Sequence, residues 1–307
     1  MSPFTEQDLE DLRKAGVLLS KIFKKILPQV QPGKRVADIV DSIEILVTRG
    51  GGELSFPPNL SVNTIAAHDT ADVLDNRVLP EGPGYVKIDF GVAINDNLTD
   101  CARTVTLGDA PTDLIEASKA ALDAAIAEVK PGVRVKVLGQ AINTTMEERG
   151  FKPIRNLTGH EVAKGKLHTG VSIPNIPAAG VVGNKKLEEG STYAIEPFAT
   201  NGRAGVVEDQ PGAYPLIFSI QRPPRSSHGK RLFEKFEYKP FSARAAARYL
   251  QIKPTMGLEK IIKVANKDDF HSYPPLWEVT DGMVAQSEDL VLVTKDGAEI
   301  ITLGAYE

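Results

Sequence analysis

The sequence predicts an α+β fold built from two similar halves, with a helical insertion in the second half. Three echoes carry that prediction. Val30-Gln31-Pro32-Gly33-Lys34-Arg35-Val36 returns as Val129-Lys130-Pro131-Gly132-Val133-Arg134-Val135. Asn59-Leu60-Ser61 returns as Asn156-Leu157-Thr158, and Leu79, Glu81, Gly82 and Tyr85 return as Leu187, Glu189, Gly190 and Tyr193. The last echo leads in each half into an apolar strand carrying one acid, Asp89 in the first and Glu196 in the second. Three echoes in the same order point to duplication, and a pseudo-twofold pair places its site at the shared interface.

The elements follow in order. Thr5–Leu27 is an amphipathic helix: Thr5 caps it, Glu6, Asp8 and Glu10 favour its positive end, and Leu9, Leu12, Leu19, Ile22, Phe23 and Ile26 recur at helical spacing until Pro28. A second helix, Val36–Thr48, shows Ile39, Val40, Ile43 and Val47 on one face and stops at Gly50-Gly51-Gly52. The same grammar opens at Pro111-Thr112-Asp113, giving a helix to about Lys130 and another that ends near Gly150. The interval 200–272 breaks the pattern and reads as an insertion with helices over Phe241–Leu250 and Leu258–Ala265. Strands resume at Met283–Thr294 and Glu299–Leu303 around a Lys295-Asp296-Gly297 turn.

Composition narrows the function classes. The 307 residues carry 36 Lys+Arg against 40 Asp+Glu, a net charge of −4, which disfavours nucleic acid or an anionic membrane as the main partner. The single Cys101 excludes an internal disulfide and a cysteine-rich zinc module, and its alternation on the strand places it in the core. The acidic N-terminus MSPFTEQDLEDL is not a signal peptide, and no apolar run approaches the ~20 residues of a membrane span. The expectation is a protein of the reducing cytoplasm.

The chemistry sits on a few strands. Along Tyr85–Ile94 the residues Val86, Ile88, Phe90, Val92 and Ile94 share one face, so Asp89 points to the other. Asn95-Asp96-Asn97 is turn chemistry, and the return strand brings Asp100 back. A hairpin centred between Ile94 and Asn95 sets Asp89 directly opposite Asp100. Neighbouring buried carboxylates repel unless a proton or cation lies between them. His160 follows a strand-like run, Glu196 lies within Tyr193–Phe198, and Glu288 starts the last apolar stretch. Taken singly, each reads more readily as a structural residue than as a ligand. Together, one imidazole and four carboxylates form a hard, oxygen-rich donor set that suits a pair of divalent transition ions.

These stretches resemble the type II methionine aminopeptidases of the archaeal, short form, which have the pita-bread (creatinase/aminopeptidase) fold. The resemblance rests on Phe56-Pro57-Pro58-Asn59-Leu60-Ser61-Val62-Asn63 with Ala66-Ala67-His68, on Lys87-Ile88-Asp89-Phe90-Gly91 with Asp100, on Asn156–His160, on Ile195-Glu196-Pro197-Phe198 and on Ala285-Gln286-Ser287-Glu288. It spans nearly the whole chain, and the insertion between Glu196 and Glu288 separates it from type I members. It implies one catalytic domain over residues 1–307 with an insertion subdomain at 200–272. It further implies two divalent ions (Co, Mn, Fe or Zn) held by Asp89, Asp100, His160, Glu196 and Glu288, with Asp100 and Glu288 bridging. Glu196 would also be the general base, with His68 and His168 touching the reacting centre and Phe56, Leu167 and Phe198 lining the methionine pocket. The implied substrate is the N-terminus of a nascent polypeptide with a small second residue, met near the ribosome by a monomer.

Two stretches depart from that pattern. Similar enzymes often have an aromatic residue before, and a His-Thr pair after, the last Glu, where this chain has Ser287-Glu288-Asp289-Leu290; a Tyr-Thr-Pro-like run after the first His is Asp69-Thr70-Ala71 here. The alternatives are an X-Pro dipeptidase of the prolidase type and a non-catalytic binding protein on the same fold. His228, His271 and the basic run Arg222–Arg231 are expected at the surface.

Overall fold

In the computed structural model, which describes residues 4–265 and 269–302, the first half runs α1 (Glu6–Ile26), α2 (Val36–Arg49), β1 (Glu53–Val62), β2 (Ile65–Ala67), β3 (Gly84–Ile94), β4 (Asn97–Leu98) and β5 (Ala102–Leu107). Thr5 begins α1 with a reciprocal cap: its hydroxyl accepts from the Asp8 N–H at 3.2 Å, and the Asp8 carboxylate accepts from the Thr5 N–H at 3.0 Å. The predicted apolar stripe is the buried one, with Leu12, Leu19, Ile22, Phe23 and Ile26 sealed from solvent. Pro28 does not end the run abruptly; a short 3-10 turn, Leu27–Gln29, carries the chain off the helix. Both helices cover one face of the β1–β3 sheet, where Val86, Ile88, Phe90 and Val92 meet them in a shared core.

The second half runs α3 (Asp113–Ala127), α4 (Val135–Glu148), β6 (Lys152–Pro153), β7 (Thr158–Val162), β8 (Ser172–Pro174), a single turn α5 (Gly180–Gly183), β9 (Thr192–Ile195) and β10 (Phe198–Thr200). Here α3 and α4 pack on the strands just as α1 and α2 do. The echoes in sequence are matched by matching hydrogen bonds. Gly33 N–H donates to Leu79 O at 2.9 Å, and Gly132 N–H donates to Leu187 O at 2.8 Å. Leu79 and Leu187 donate back to Lys34 and Val133, both at 2.8 Å. Gly33 (φ 73°) and Gly132 (φ 81°) make the same left-handed turn, a conformation that costs glycine nothing and a side-chain-bearing residue about 1 kcal/mol or more.

The insertion contains β11 (Val207–Glu208), β12 (Ile217–Ile220), α6 (Ser227–Phe236), β13 (Phe241–Ser242), α7 (Ala243–Tyr249), α8 (Pro254–Ala265) and β14 (Phe270–Tyr273). Its helices are present, but it is not purely helical: α6, α7 and α8 rest on a three-stranded sheet ordered β13-β12-β14, around Phe218, Phe241, Leu232 and Ile261. The expected helix from Phe241 accordingly starts at Ala243, because Phe241 and Ser242 pair with β12 and the Ser242 hydroxyl then caps the helix. Residues 266–268 of the expected insertion, and Leu303 at the end of the expected last strand, lie outside the described residues.

The chain closes with β15 (Leu276–Glu278), β16 (Val284–Gln286), β17 (Asp289–Val293) and β18 (Ala298–Ile300). The predicted turn joins β17 to β18, with Thr294 N–H donating to Gly297 O at 2.9 Å. The five-stranded sheet β18-β17-β9-β7-β8 belongs to the second half. It meets the first half where Ala102 bridges Glu288. No helix among the described residues is long and apolar enough to cross a membrane.

Candidate metal centre and cleft

The carboxylates of Asp89 and Asp100 reach the site on one hairpin. Its turn is Asn95-Asp96, both with positive φ (50° and 61°), as a two-residue hairpin turn requires, and asparagine and aspartate tolerate that region well. Ile94 pairs with Asn97, so the hairpin is centred one residue later than the sequence implied. Asp89 therefore sits opposite Ala102, not Asp100. The two acids stay on one face because the shift is an even number of positions across the pair, and they meet diagonally. Gly91 lies between them in the chain, so close to the return strand that a Cβ there would come within 1.9 Å of Thr99 O.

The other donors come from the second half. His160 is on β7, paired with Ala194 of β9, and Glu196 follows β9 by one residue. Glu288 lies between β16 and β17, its N–H bonded to Ala102 O at 3.0 Å. His160 Nε2 is 3.3 Å from Asp100 Oδ2 and 3.8 Å from Glu196 Oε1. Asp100, His160 and Glu288 each place one donor atom within 4.8 Å of the others. Gln286, which sequence reasoning quoted only as part of a motif, donates from Nε2 at 3.3 Å to both Asp89 Oδ2 and Glu288 Oε2.

Burial and mutual repulsion dominate the electrostatics. Burial, then the neighbouring Asp100, pushes the Asp89 carboxyl well above the usual range, and burial raises Asp100 to about 7. Glu196 and Glu288 are raised by burial and then by Asp100 and Asp89. Burial lowers His160 to about 4, so its imidazole is neutral and free to donate a lone pair. Asp89 Oδ1 is buried with no hydrogen-bond partner. Four crowded carboxylates, an orphaned carboxylate oxygen and a neutral imidazole form an environment that divalent cations would satisfy and that protons satisfy poorly.

All ten residues singled out from the sequence line one cavity of about 270 Å³. The five donors share its lining with the apolar Phe56, Leu167 and Phe198. His168 stacks at a tilt on His160, with ring centroids 4.1 Å apart. His68 follows β2 in a left-handed conformation (φ 66°), with Nδ1 3.2 Å from Pro274 O. Burial holds its pKa down at about 4. A non-glycine residue in that region is held there by its surroundings, a feature that concentrates at functional sites.

The insertion completes the cleft in a way the sequence did not announce. Ile217, Pro240 and Tyr273 line the cavity, and the Tyr273 ring packs edge-on against His68 at 5.5 Å and His271 at 4.6 Å. His271 is exposed, as expected, and packs against the cavity-lining Tyr273; β-strand alternation from Tyr273 is the signal that could have placed it there. His228 is exposed on α6, remote from the cavity lining, and Arg222 within the basic run pairs with Asp269 at 2.7 Å. Cys101 is buried in the core, as alternation predicted. Neither departure near Glu288 enters the cavity: the Ser287 hydroxyl is 2.8 Å from Ser118 of α3, and Asp289 pairs with Arg103 at 2.7 Å.

The chain resembles known proteins over nearly its whole length. Residues 10–295 match the profile of metallopeptidase family M24. A methionine aminopeptidase of Thermococcus onnurineus is 39% identical over 302 residues, covering 95% of this chain and 99% of that protein. Among solved structures, the methionine aminopeptidase of Thermotoga maritima superposes with a TM-score of 0.71 at 22% identity, over 98% of this chain and 99% of that one. A thermophilic Arx1 superposes at 0.82 with 16% identity, over 97% of this chain and 91% of that one. The prolidase of Pyrococcus furiosus superposes at 0.63 with 18% identity, over 97% of this chain and 64% of that one. At such identities these structures share the pita-bread fold, which is the fold of this chain.

Proposed function

The chain belongs to metallopeptidase family M24, and we propose that within it the protein acts as a methionine aminopeptidase, hydrolysing the first peptide bond of new polypeptides to release the initiator methionine. The observation that carries this reading is that the five donors line one small cavity together with the apolar Phe56, Leu167 and Phe198. A methionine side chain lies against Phe56, Leu167 and Phe198, which places its carbonyl over the donors. The narrow wall restricts the second residue to a small side chain.

In this reading Asp89, Asp100, His160, Glu196 and Glu288 are the residues that would hold two divalent ions. When bound, such ions supply Lewis-acid activation of water and of the scissile carbonyl near neutral pH. Glu196 accepts the proton of the attacking water and passes it to the departing amine, a role its position in the cavity lining beside His160 supports. His68, neutral and held by Pro274, hydrogen-bonds the leaving nitrogen side of the substrate. His168, beside His160, hydrogen-bonds the reacting carbonyl. Tyr273 and Pro240 of the insertion narrow the entrance through which the peptide runs out. The protein works as a cytoplasmic monomer on chains leaving the ribosome.

The test is metal-dependent turnover. Chelator-stripped protein is incubated with Met-Ala-Ser and with Ala-Pro, with and without Co²⁺, Mn²⁺, Fe²⁺ or Zn²⁺. Methionine release that requires added metal is the expected result. Cleavage of Ala-Pro alone would move the assignment to an X-Pro dipeptidase, and no turnover with any metal would leave a binding protein.

A further inference from the structure

Behind the cleft floor lies a buried ion pair that joins the two halves of the fold. Arg103 is on β5, one position off the face that carries Asp100, Ala102 and Thr104, and is 2% exposed. Its guanidinium lies 5.9 Å from the centre of the Phe23 ring of α1. From Nη2 it donates to Asp289 Oδ1 at 2.7 Å, and from Nη1 it donates to the carbonyls of Glu288 and of Ala102, the latter at 2.8 Å. Asp289 is 5% exposed, and the same Oδ1 accepts from the Thr302 hydroxyl at 2.6 Å. The Cys101 thiol approaches the Glu288 carbonyl at 3.2 Å.

Glu288 is therefore fastened to the first half at both ends of its backbone: its N–H to Ala102 and its carbonyl to Arg103. Its side chain dips from that anchorage into the cavity, among carboxylates that repel it. Asp89 and Asp100 arrive on the first half, and Glu288 on the second. Their spacing depends on how firmly the two halves are joined at this point.

We propose that the Arg103–Asp289 pair is the clasp that sets the position of Glu288 against Asp100, making Arg103 a positioning residue for the divalent ions. The inference rests on the metallopeptidase reading above. The fork reaches Asp289 from Nη2 and the two carbonyls from Nη1, in a fixed plane, whereas a lysine ammonium would have to meet all three acceptors from one nitrogen at the end of a flexible stem. A role confined to stability makes a different prediction, because replacing a buried ion pair by apolar residues of similar volume is often neutral or stabilising.

The experiment titrates Mn²⁺ calorimetrically into chelator-stripped wild-type protein, into Arg103→Lys and into the double variant Arg103→Leu/Asp289→Leu, and records the melting temperature of each stripped protein. The double variant is expected to melt near wild type while its Mn²⁺ affinity falls about 10- to 100-fold, the usual effect of losing a group that orients a ligand. Arg103→Lys, which keeps the charge and loses the fork, is expected to weaken Mn²⁺ binding about tenfold. Should the double variant not fold, the Arg103→Lys titration decides alone. Binding by the folded variants indistinguishable from wild type overturns the inference and leaves the metallopeptidase reading standing. A wild-type protein that takes up no Mn²⁺ overturns both.

Discussion

The imidazole of His160 stands 3.3 Å from the carboxylate of Asp100, although the two side chains come from opposite halves of a duplicated chain. Asp89 and Asp100 come from the first half and His160, Glu196 and Glu288 from the second, so neither half supplies the whole cluster. The site exists because the halves close on each other, and its chemistry can be interrogated one group at a time.

Glu196→Gln removes the proposed base while keeping the size of the side chain. The variant is expected to lose about 10²- to 10⁴-fold in kcat for Met-Ala-Ser, the range for loss of a positioned general base. Single-turnover methionine release, with circular dichroism to verify folding, reads this directly. Undiminished turnover would remove Glu196 from that role.

Metal should stabilise the fold, and more so as pH rises. In the stripped protein Asp100 titrates at about 7, far above its unfolded value, so the folded state holds a proton between those two values. Its contribution to the stripped protein is therefore greatest at low pH and is lost as pH rises toward 7. A cation must displace that proton, so its apparent affinity falls as pH falls below 7. Melting curves with and without Mn²⁺ between pH 5.5 and 8 (values chosen to bracket about 7) should show a gap that widens with pH. A gap that narrows or stays constant would contradict this account of the site.

Gly91→Ala is expected to damage the site through the backbone. Its Cβ would sit 1.9 Å from Thr99 O, inside the hairpin that carries Asp89 and Asp100. The strands must part or shift register, at a cost of about 1 to 3 kcal/mol from overpacking. Urea denaturation of the stripped protein measures the loss, and Mn²⁺ titration should show weakened binding in the same variant.

The insertion is tied to the first half by charge. Asp41 of α2 accepts from Arg248 at 2.9 Å and also pairs with the largely buried Arg244, and Arg248 reaches Glu44 at 2.8 Å. Burial raises the Asp41 carboxyl, but the hydrogen bonds from Arg248 and Arg244 outweigh it and hold its pKa below the ordinary value. Its stabilising contribution is thus full above the unfolded value and disappears as pH falls through the folded one. Asp41→Asn should cost about 1 kcal/mol or less at pH 7, as the pair is partly solvated. The variant should also lose less stability than wild type on acidification. Parallel melting curves at pH 7 and pH 3 (about 4 being the ordinary carboxylate value) separate the two, and an equal acid loss in both proteins would rule out Asp41 as a contributor.

Local structure, and which side chains gather at one cavity, were legible in the residues themselves. Helical spacing and a capping threonine determine α1, a Pro-Gly turn repeated in both halves announces the duplication, and alternation along Tyr85–Ile94 separates the core face from Asp89. These are short-range facts, set by periods of 3.6 and 2 and by the few residues that accept a left-handed turn. Tertiary structure decided what depends on distant partners. Turn geometry moved the hairpin by one residue and made the meeting of Asp89 and Asp100 diagonal. Pairing with β12 turned Phe241 and Ser242 into a strand and gave the insertion a sheet. Folding of that sheet against the cleft brought Tyr273 beside His68, with His271 packed on Tyr273. Asp289, an unexplained charge beside Glu288 in the linear chain, found its partner on a strand of the other half. Burial strengthens such long-range pairings because it removes water as the competing partner, and burial is a property of the assembled halves rather than of any segment.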